Sequence, residues 1–178
     1  VDAAGRLADL HQSGAAKVRF PRVYAHHAVE AVLINTAGGL TGGDVMRADL
    51  DVAGGAAVFT SQAAEKLYRA SAGVADVATT LRVAAGGQAV WAPQETILFD
   101  RAALRRSLLI DAAPGAVFTA IEPLVFGRVA MGERVATLHL RDRWRVCVDG
   151  RLVFAEDARI DGDAAAALTA PSGGGGAV

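Results

Sequence analysis

The sequence holds a single cysteine, Cys147, in 178 residues. That excludes an intrachain disulfide and a zinc site built from cysteines, and it suits a reducing, cytosolic compartment. Lysine is nearly as scarce, with Lys17 and Lys66 the only two. No run of about 18 apolar residues exists, so no segment reads as a membrane-spanning helix. No basic stretch leads into an apolar core and a small-residue cleavage site, as a secretory signal would. Neither sign of charge dominates: 18 Lys+Arg stand against 19 Asp+Glu, well mixed along the chain. This argues against acidic tails and a general nucleic-acid binder. Aromatics are 6% of the chain, and 39 alanines inflate the 52% hydrophobic content. The set able to build a deep core is therefore smaller than it looks, yet larger than a disordered chain carries. The length suits one domain. The chain opens on Val1 rather than Met and closes on a Gly173–Gly176 run, and so reads as a fragment.

What is present is a hydrophobic period of two. In Val45–Val52 the apolar Met46, Ala48, Leu50 and Val52 alternate with Arg47, Asp49 and Asp51, the pattern of a half-buried strand. Ala53-Gly54-Gly55 then offers the positive φ of a tight turn, and Ala56–Thr60 is a second apolar run. Together they predict a β-hairpin. Three more such pairs follow: Thr79–Val83 with Gln88–Ala92, Leu108–Ile110 with Ala116–Thr119, and Arg145–Val148 with Arg151–Ala155 around Asp149-Gly150. The Val-aromatic pairs at 58–59, 90–91, 117–118 and 153–154 recur at intervals of 32, 27 and 36 residues. Self-similarity near 30 residues is the mark of stacked supersecondary units. The expected fold is mainly β, built of stacked hairpins or layers, with little helix. Ser61–Arg69 is expected extended. Asp163 before four alanines predicts a short capped helix stopped by Pro171.

A glutamate follows each Val-aromatic pair: Glu65, Glu95, Glu122 and Glu156. Stacked on one edge, they would form a line of carboxylates able to bind cations or an Arg-rich partner, or to bond strand-end amides. The segment Asn35–Asp44 carries two glycine pairs, Gly38-Gly39 and Gly42-Gly43. It reads either as a phosphate cradle, hence a nucleotide- or phosphate-binding enzyme domain, or as a wide turn in which Asp44 bonds turn amides. Its spacing matches neither a P-loop nor a dinucleotide fingerprint, and a strand follows it. The adjacent His26 and His27 point to opposite faces of an extended chain, and no histidine pair has helical metal-ligand spacing. Glu156/Asp157 and Asp161/Asp163 read as a solvated connector. Arg141-Asp142-Arg143-Trp144-Arg145 alternates three arginines with Asp142 and Trp144 on the opposite face. That is a half-exposed strand or an interface, for which Arg143 and Trp144 are the candidate anchors.

Six segments together resemble the urease accessory protein UreD family, called UreH in some organisms. They are Leu33-Ile34-Asn35-Thr36-Ala37-Gly38-Gly39-Leu40-Thr41-Gly42-Gly43-Asp44, Gln62-Ala63-Ala64-Glu65-Lys66-Leu67-Tyr68-Arg69 and Trp91-Ala92-Pro93-Gln94-Glu95-Thr96-Ile97-Leu98-Phe99. Then come Gly127-Arg128 with Met131-Gly132-Glu133, Arg141–Arg145, and Asp149-Gly150-Arg151-Leu152. The resemblance implies a β-rich, partly β-helical, non-enzymatic chaperone of the cytoplasm. It implies partners UreF and UreG, and action on apo-urease to insert nickel. On that reading nickel is a transported ion, no cofactor is held permanently, and Asp44, Glu65, Glu95 and Glu122 are candidates for a transient metal path. It further implies a single UreD-like β domain over 1–178, incomplete at its C-terminus, with 165–178 starting a connector to further strands.

Overall fold

A computed structural model describes residues 1–21 and 28–170; His26 and His27 lie outside the described residues. In chain order the strands are β1 (Ala16–Arg19), β2 (Val29–Asn35), β3 (Val45–Val52), β4 (Ala56–Ser61), β5 (Glu65–Leu67), β6 (Ala75–Val83) and β7 (Gln88–Trp91). They continue as β8 (Thr96–Leu98), β9 (Ala103–Ala112), β10 (Val117–Ala120), β11 (Leu124–Phe126), β12 (Thr137–Val148) and β13 (Arg151–Asp163). A short helix, α1 (Ala164–Thr169), follows; the Asp163 carboxylate caps it by accepting from the Ala166 N–H.

The chain winds through three sheets in the same order four times. The first sheet stacks β2, β4, β7 and β10, with β1 on its outer edge; the second stacks β5, β8 and β11; the third stacks β3, β6, β9 and β12, with β13 at the far edge. Leu40 supplies the first coil's rung of the second sheet, through a parallel bridge to Leu67. All pairings between successive coils are parallel, whereas β1–β2 and β12–β13 are antiparallel. The result is a three-sided β-solenoid, which agrees with the expected mainly β, layered and partly β-helical class.

The local connectivity corrects the hairpin expectation for three of the four pairs. β3 pairs with β6, not with β4, and β4 pairs with β2 and β7. After each glycine corner the second arm hands its hydrogen bonds to the neighbouring coil, while the two arms face each other through side chains. Gly55, Gly86 and Gly115 hold φ of 65°, 75° and 79° at the three equivalent corners. The corners also stack: Ala84 N–H donates to Val52 C=O, Ala113 N–H to Val83 C=O, and Asp149 N–H to Ala112 C=O. A period of two is identical in a hairpin and in such an arch, so alternation could not tell them apart. The fourth pair is a true hairpin. Asp149 (φ 53°) and Gly150 (φ 68°) form its two-residue turn, with both residues at the positive φ a type I′ turn needs. Glu156, Asp157, Asp161 and Asp163 belong to this long strand β13, not to a connector.

Inward positions fill the lumen in rows that run along the coil axis. One row reads Leu50, Leu81, Ile110, Val146; the next Ala48, Thr79, Leu108, Trp144; the third Met46, Val77, Arg106, Asp142. Two apolar clusters result. One gathers Val52, Leu81, Leu108, Ile110, Phe59 and Trp91 between the first and third sheets; the other gathers Leu40, Leu67, Leu98, Leu104, Leu138 and Leu140 against the second. Side chains such as Leu67, Leu81, Leu108 and Leu138, at most 1% exposed, each contribute about 1.5–3 kcal/mol by leaving water.

Candidate functional site

The segments that are far apart in sequence meet at one side of the solenoid, along the second sheet. Asn35 Nδ2 donates to Glu65 Oε1 at 3.0 Å, which ties the end of β2 to the start of β5. Gly39 lies so close to the next coil that a Cβ there would sit 2.4 Å from Tyr68 Cε2 and 2.8 Å from the Lys66 carbonyl oxygen. A Cβ on Gly42 would sit 2.1 Å from the Ala72 carbonyl oxygen. These contacts account for glycine at 39 and 42 by packing between coils. Asp44 Oδ2 accepts from the Thr41 N–H at 2.8 Å, the turn-amide role read from sequence.

From Tyr68 the contacts continue across the coils. Its ring meets Phe99 edge-on at 5.0 Å, and the Arg128 guanidinium lies 4.2 Å above the Phe99 ring. Glu133 holds Arg128 Nε at 2.7 Å and accepts from the backbone N–H groups of Arg128 and Asp100. Asp100 Oδ1 accepts from the N–H groups of Ala136 and Thr137 at 2.8 and 2.9 Å. With Arg69 and Arg101 these residues line an open cleft of about 590 Å³. Both carboxylates are thus spent on internal partners, and Arg69 makes no ion pair among the described residues. Arg101 holds φ 62°, a backbone conformation a non-glycine residue adopts rarely. The cleft therefore offers three guanidinium groups and the Tyr68 ring to solvent over the buried Phe99, the residue types that anchor protein interfaces. The Arg128 partnership holds Glu133 below the usual glutamate range, and the backbone donor of Thr137, helped by Ala136, holds Asp100 low.

A second constellation lies inside the lumen. Arg106 (β9) and Asp142 (β12) sit at inward positions of adjacent coils and form a two-pronged ion pair, with Arg106 Nε 3.0 Å from Asp142 Oδ1 and Nη2 bonded to Oδ2. Glu122, from the corner between β10 and β11, brings Oε2 within 3.4 Å of the same Nε. Its Oε1 accepts from Trp91 Nε1 at 2.8 Å. The side chains of Arg106, Glu122 and Asp142 are 7%, 4% and 10% exposed. Burial pushes the Glu122 carboxyl above its ordinary range, against the pull of Arg106. Sequence reasoning placed Asp142 on the face with Trp144 but did not see it buried, and it passed over Arg106. The available signal was two opposite charges in register with leucines: Leu104, Arg106, Leu108 on one strand and Leu140, Asp142, Trp144 on the other.

The carboxylates read as a stacked line fall at different register positions. Glu65 pairs with Thr96, and Thr96 with Leu124, so Glu95 lies one position and Glu122 two positions short of that row. Glu65 is half-buried and its carboxyl is raised by burial, with Asn35 opposing. Glu156 stands exposed on β13, opposite Trp144. Among the described residues, no group of three or more His, Cys, Asp and Glu is placed to hold a metal ion. Of the interface candidates, Arg143 faces out toward Asp157 at 3.8 Å, while Trp144 faces the lumen.

Residues 2–178 match the family model described as UreD urease accessory protein. The chain belongs to the UreD family. The UreD protein of Mesorhizobium japonicum is 51% identical over 178 residues, which are 99% of this chain and 63% of that protein. The UreD of Brucella suis is 48% identical over 177 residues, again 99% and 63%. The UreD of Rhizobium rhizogenes is 50% identical over 171 residues, 96% of this chain and 62% of its own length. The chain thus spans somewhat under two thirds of the UreD relatives it matches. The segments by which the sequence resembled UreD are, in large part, those the solenoid assembles into the cleft: Gly39, Tyr68, Arg69, Phe99, Arg128 and Glu133. No helix among the described residues is long and apolar enough to cross a membrane.

Proposed function

We propose that the protein takes part in urease maturation as a non-catalytic accessory protein of the cytoplasm. It positions UreF and UreG on apo-urease so that nickel is inserted into the enzyme. The reading is carried by the match of nearly the whole chain to the UreD accessory family. The cleft supports it as a docking face, because Arg128, braced by Glu133 and seated on Phe99, binds a partner at small entropic cost beside the exposed Tyr68. Nickel is cargo on this reading: a conduit must release what it holds, and weak, separated carboxylates such as Asp44, Glu65 and Glu95 suit that better than a closed ligand cage. Arg143, on the outer face of β12, serves as a second contact point.

The test is co-purification with urease subunits and accessory proteins, and recovery of urease activity, in a host lacking its own copy. Capture of urease subunits together with restored activity is the expected result. Restored activity without any complex, or a complex without activity, would contradict the scaffold role. Asp44→Asn, Glu65→Gln and Glu95→Gln should leave the complex intact and slow activation; unchanged activation in all three would assign these carboxylates to structure alone.

A further inference from the structure

The lumen ends in a pocket of about 220 Å³, lined by Glu122, Asp142, Trp144, Phe154, Glu156 and Ala158. That is room for roughly seven waters at about 30 Å³ each, or for the end of one long side chain. Its floor holds two buried carboxyl groups that, among the described residues, share one cation, Arg106. Arg106 is forked onto Asp142, and Glu122 Oε2, on a side chain 4% exposed, makes no hydrogen bond among the described residues, with Arg106 Nε standing off it at 3.4 Å. A buried carboxylate oxygen in that state is costly unless a donor arrives. Along the axis the inward row runs Met46, Val77, Arg106, Asp142 and closes on the small Ala158 of β13, which leaves room for a cation beside the two carboxylates. The walls fit one: the Trp144 indole lines the pocket, and the exposed Glu156 stands opposite it on β13.

The surroundings say what kind of molecule brings it. Among the described residues β10 and β11 end their sheets, so each presents an unpaired parallel edge, and Val117, Ile121 and Val125 are 60%, 54% and 40% exposed along them. Phe154 is 46% exposed on β13 above the same mouth. Unpaired edges flanked by apolar side chains are completed by another strand of polypeptide. The matched relatives are longer than the stretch they share with this chain, so the family fold has polypeptide from which to form such a layer.

We propose that this mouth is a socket for one basic side chain, arginine in preference to lysine, presented by the polypeptide layer that stacks on β10 and β11. A guanidinium can fork between Glu122 Oε2 and Glu156 while its plane lies on Trp144, which an ammonium cannot do. The socket balances the lumen charge and fixes the register of the added layer.

The two tryptophans of the chain, Trp91 and Trp144, both touch this site and report on it directly. The 178-residue chain, labelled with nitrogen-15 on its indoles, is titrated with N-acetyl-arginine amide and, separately, with the neutral isostere N-acetyl-citrulline amide. The expected result is a saturable shift of both indole signals with the arginine probe only, weakened at least tenfold by Glu122→Gln. If that variant loses the dispersed spectrum of a folded chain, Glu156→Gln at the exposed rim carries the test, with a smaller but measurable weakening expected. An equal response to the citrulline probe, an unchanged response in both variants, or no shift at all would overturn the socket. So would saturation by Ni²⁺ or by putrescine at concentrations where the arginine probe leaves the indoles unmoved, since the site would then belong to a metal or a small organic cation. The socket does not rest on the urease role: failure of urease activation with an intact arginine response would overturn that role and leave the socket standing.

Discussion

Replacing Arg106 by methionine removes the cation that Asp142 and Glu122 share in the lumen and leaves the two acids together beside the Trp91 indole. At the observed separations of 3.0 Å and 3.4 Å, and an effective dielectric near 20, each carboxylate loses an attraction of about 5 kcal/mol. The chain need not bear that in full, because a carboxylate can take up a proton instead. Protonation at pH 7 of a group with an ordinary value near 4 costs about 4 kcal/mol, which caps the penalty for each acid. Stripping one partner from a buried pair costs about 3–5 kcal/mol in general, so Arg106→Met should destabilise the fold by at least that amount at pH 7. Urea unfolding followed by tryptophan fluorescence measures it. The cap also sets a sign: the variant's native state binds protons its unfolded state does not, so its deficit should shrink as pH falls from 7 toward 5, by about 1.4 kcal/mol per pH unit for each acid protonated. The triple variant Arg106→Met, Glu122→Gln, Asp142→Leu should recover most of the loss, since no unpaired charge remains. A loss below about 1 kcal/mol in the single variant, or a triple variant no better than the single one, would refute the view of this cluster as a buried, tightly coupled charge group.

Three further outcomes are expected. Gly42→Ala, whose Cβ would meet the Ala72 carbonyl at 2.1 Å, should destabilise by about 1–3 kcal/mol or more and lower the thermal midpoint further than Ala72→Ser, a change in the same contact without a clash. Asp100→Asn should weaken the fold at pH 7 and flatten its acid dependence. The native Asp100 carboxyl is held low, so its contribution is full above about pH 4 and is lost as pH falls through its lowered native value; parallel acid-unfolding curves for the two proteins would contradict this. Arg128→Ala removes an exposed ion pair and a cation–π contact, so stability should change little, while capture of partner proteins should drop severalfold in the co-purification assay.

The repeat was legible in the sequence because burial in a solenoid is enforced coil by coil, and the Val-aromatic pairs mark equivalent places in successive turns. What alternation could not reveal was the hydrogen-bond partner. Leu50 and Val52 point inward whether Val45–Val52 pairs with Ala56–Ser61 or with Ala75–Val83, and only the stacking of the glycine corners decides. The cleft was visible in pieces, as Tyr68-Arg69, Phe99 and Gly127-Arg128, but these meet only after three coils have formed. The lumen charges were hidden for the opposite reason. Arg105-Arg106 reads as surface by composition, and just one of the two faces inward, a distinction that needs the strand's phase and a partner 36 residues away.

The stacked glycine corners have a consequence for the order in which this chain assembles. Every parallel ladder joins residues roughly 30 positions apart, so no coil can form until a neighbour offers it an edge, and contacts at that separation are slow to close. The antiparallel pairs are the exceptions, and of these the β12–β13 hairpin is the longer, with a two-residue turn and twelve paired positions against four in β1–β2. It is the natural starting template, on which β9, then β6, then β3 can be laid in turn. Assembly would then run from β12 back toward β3, against the direction of synthesis.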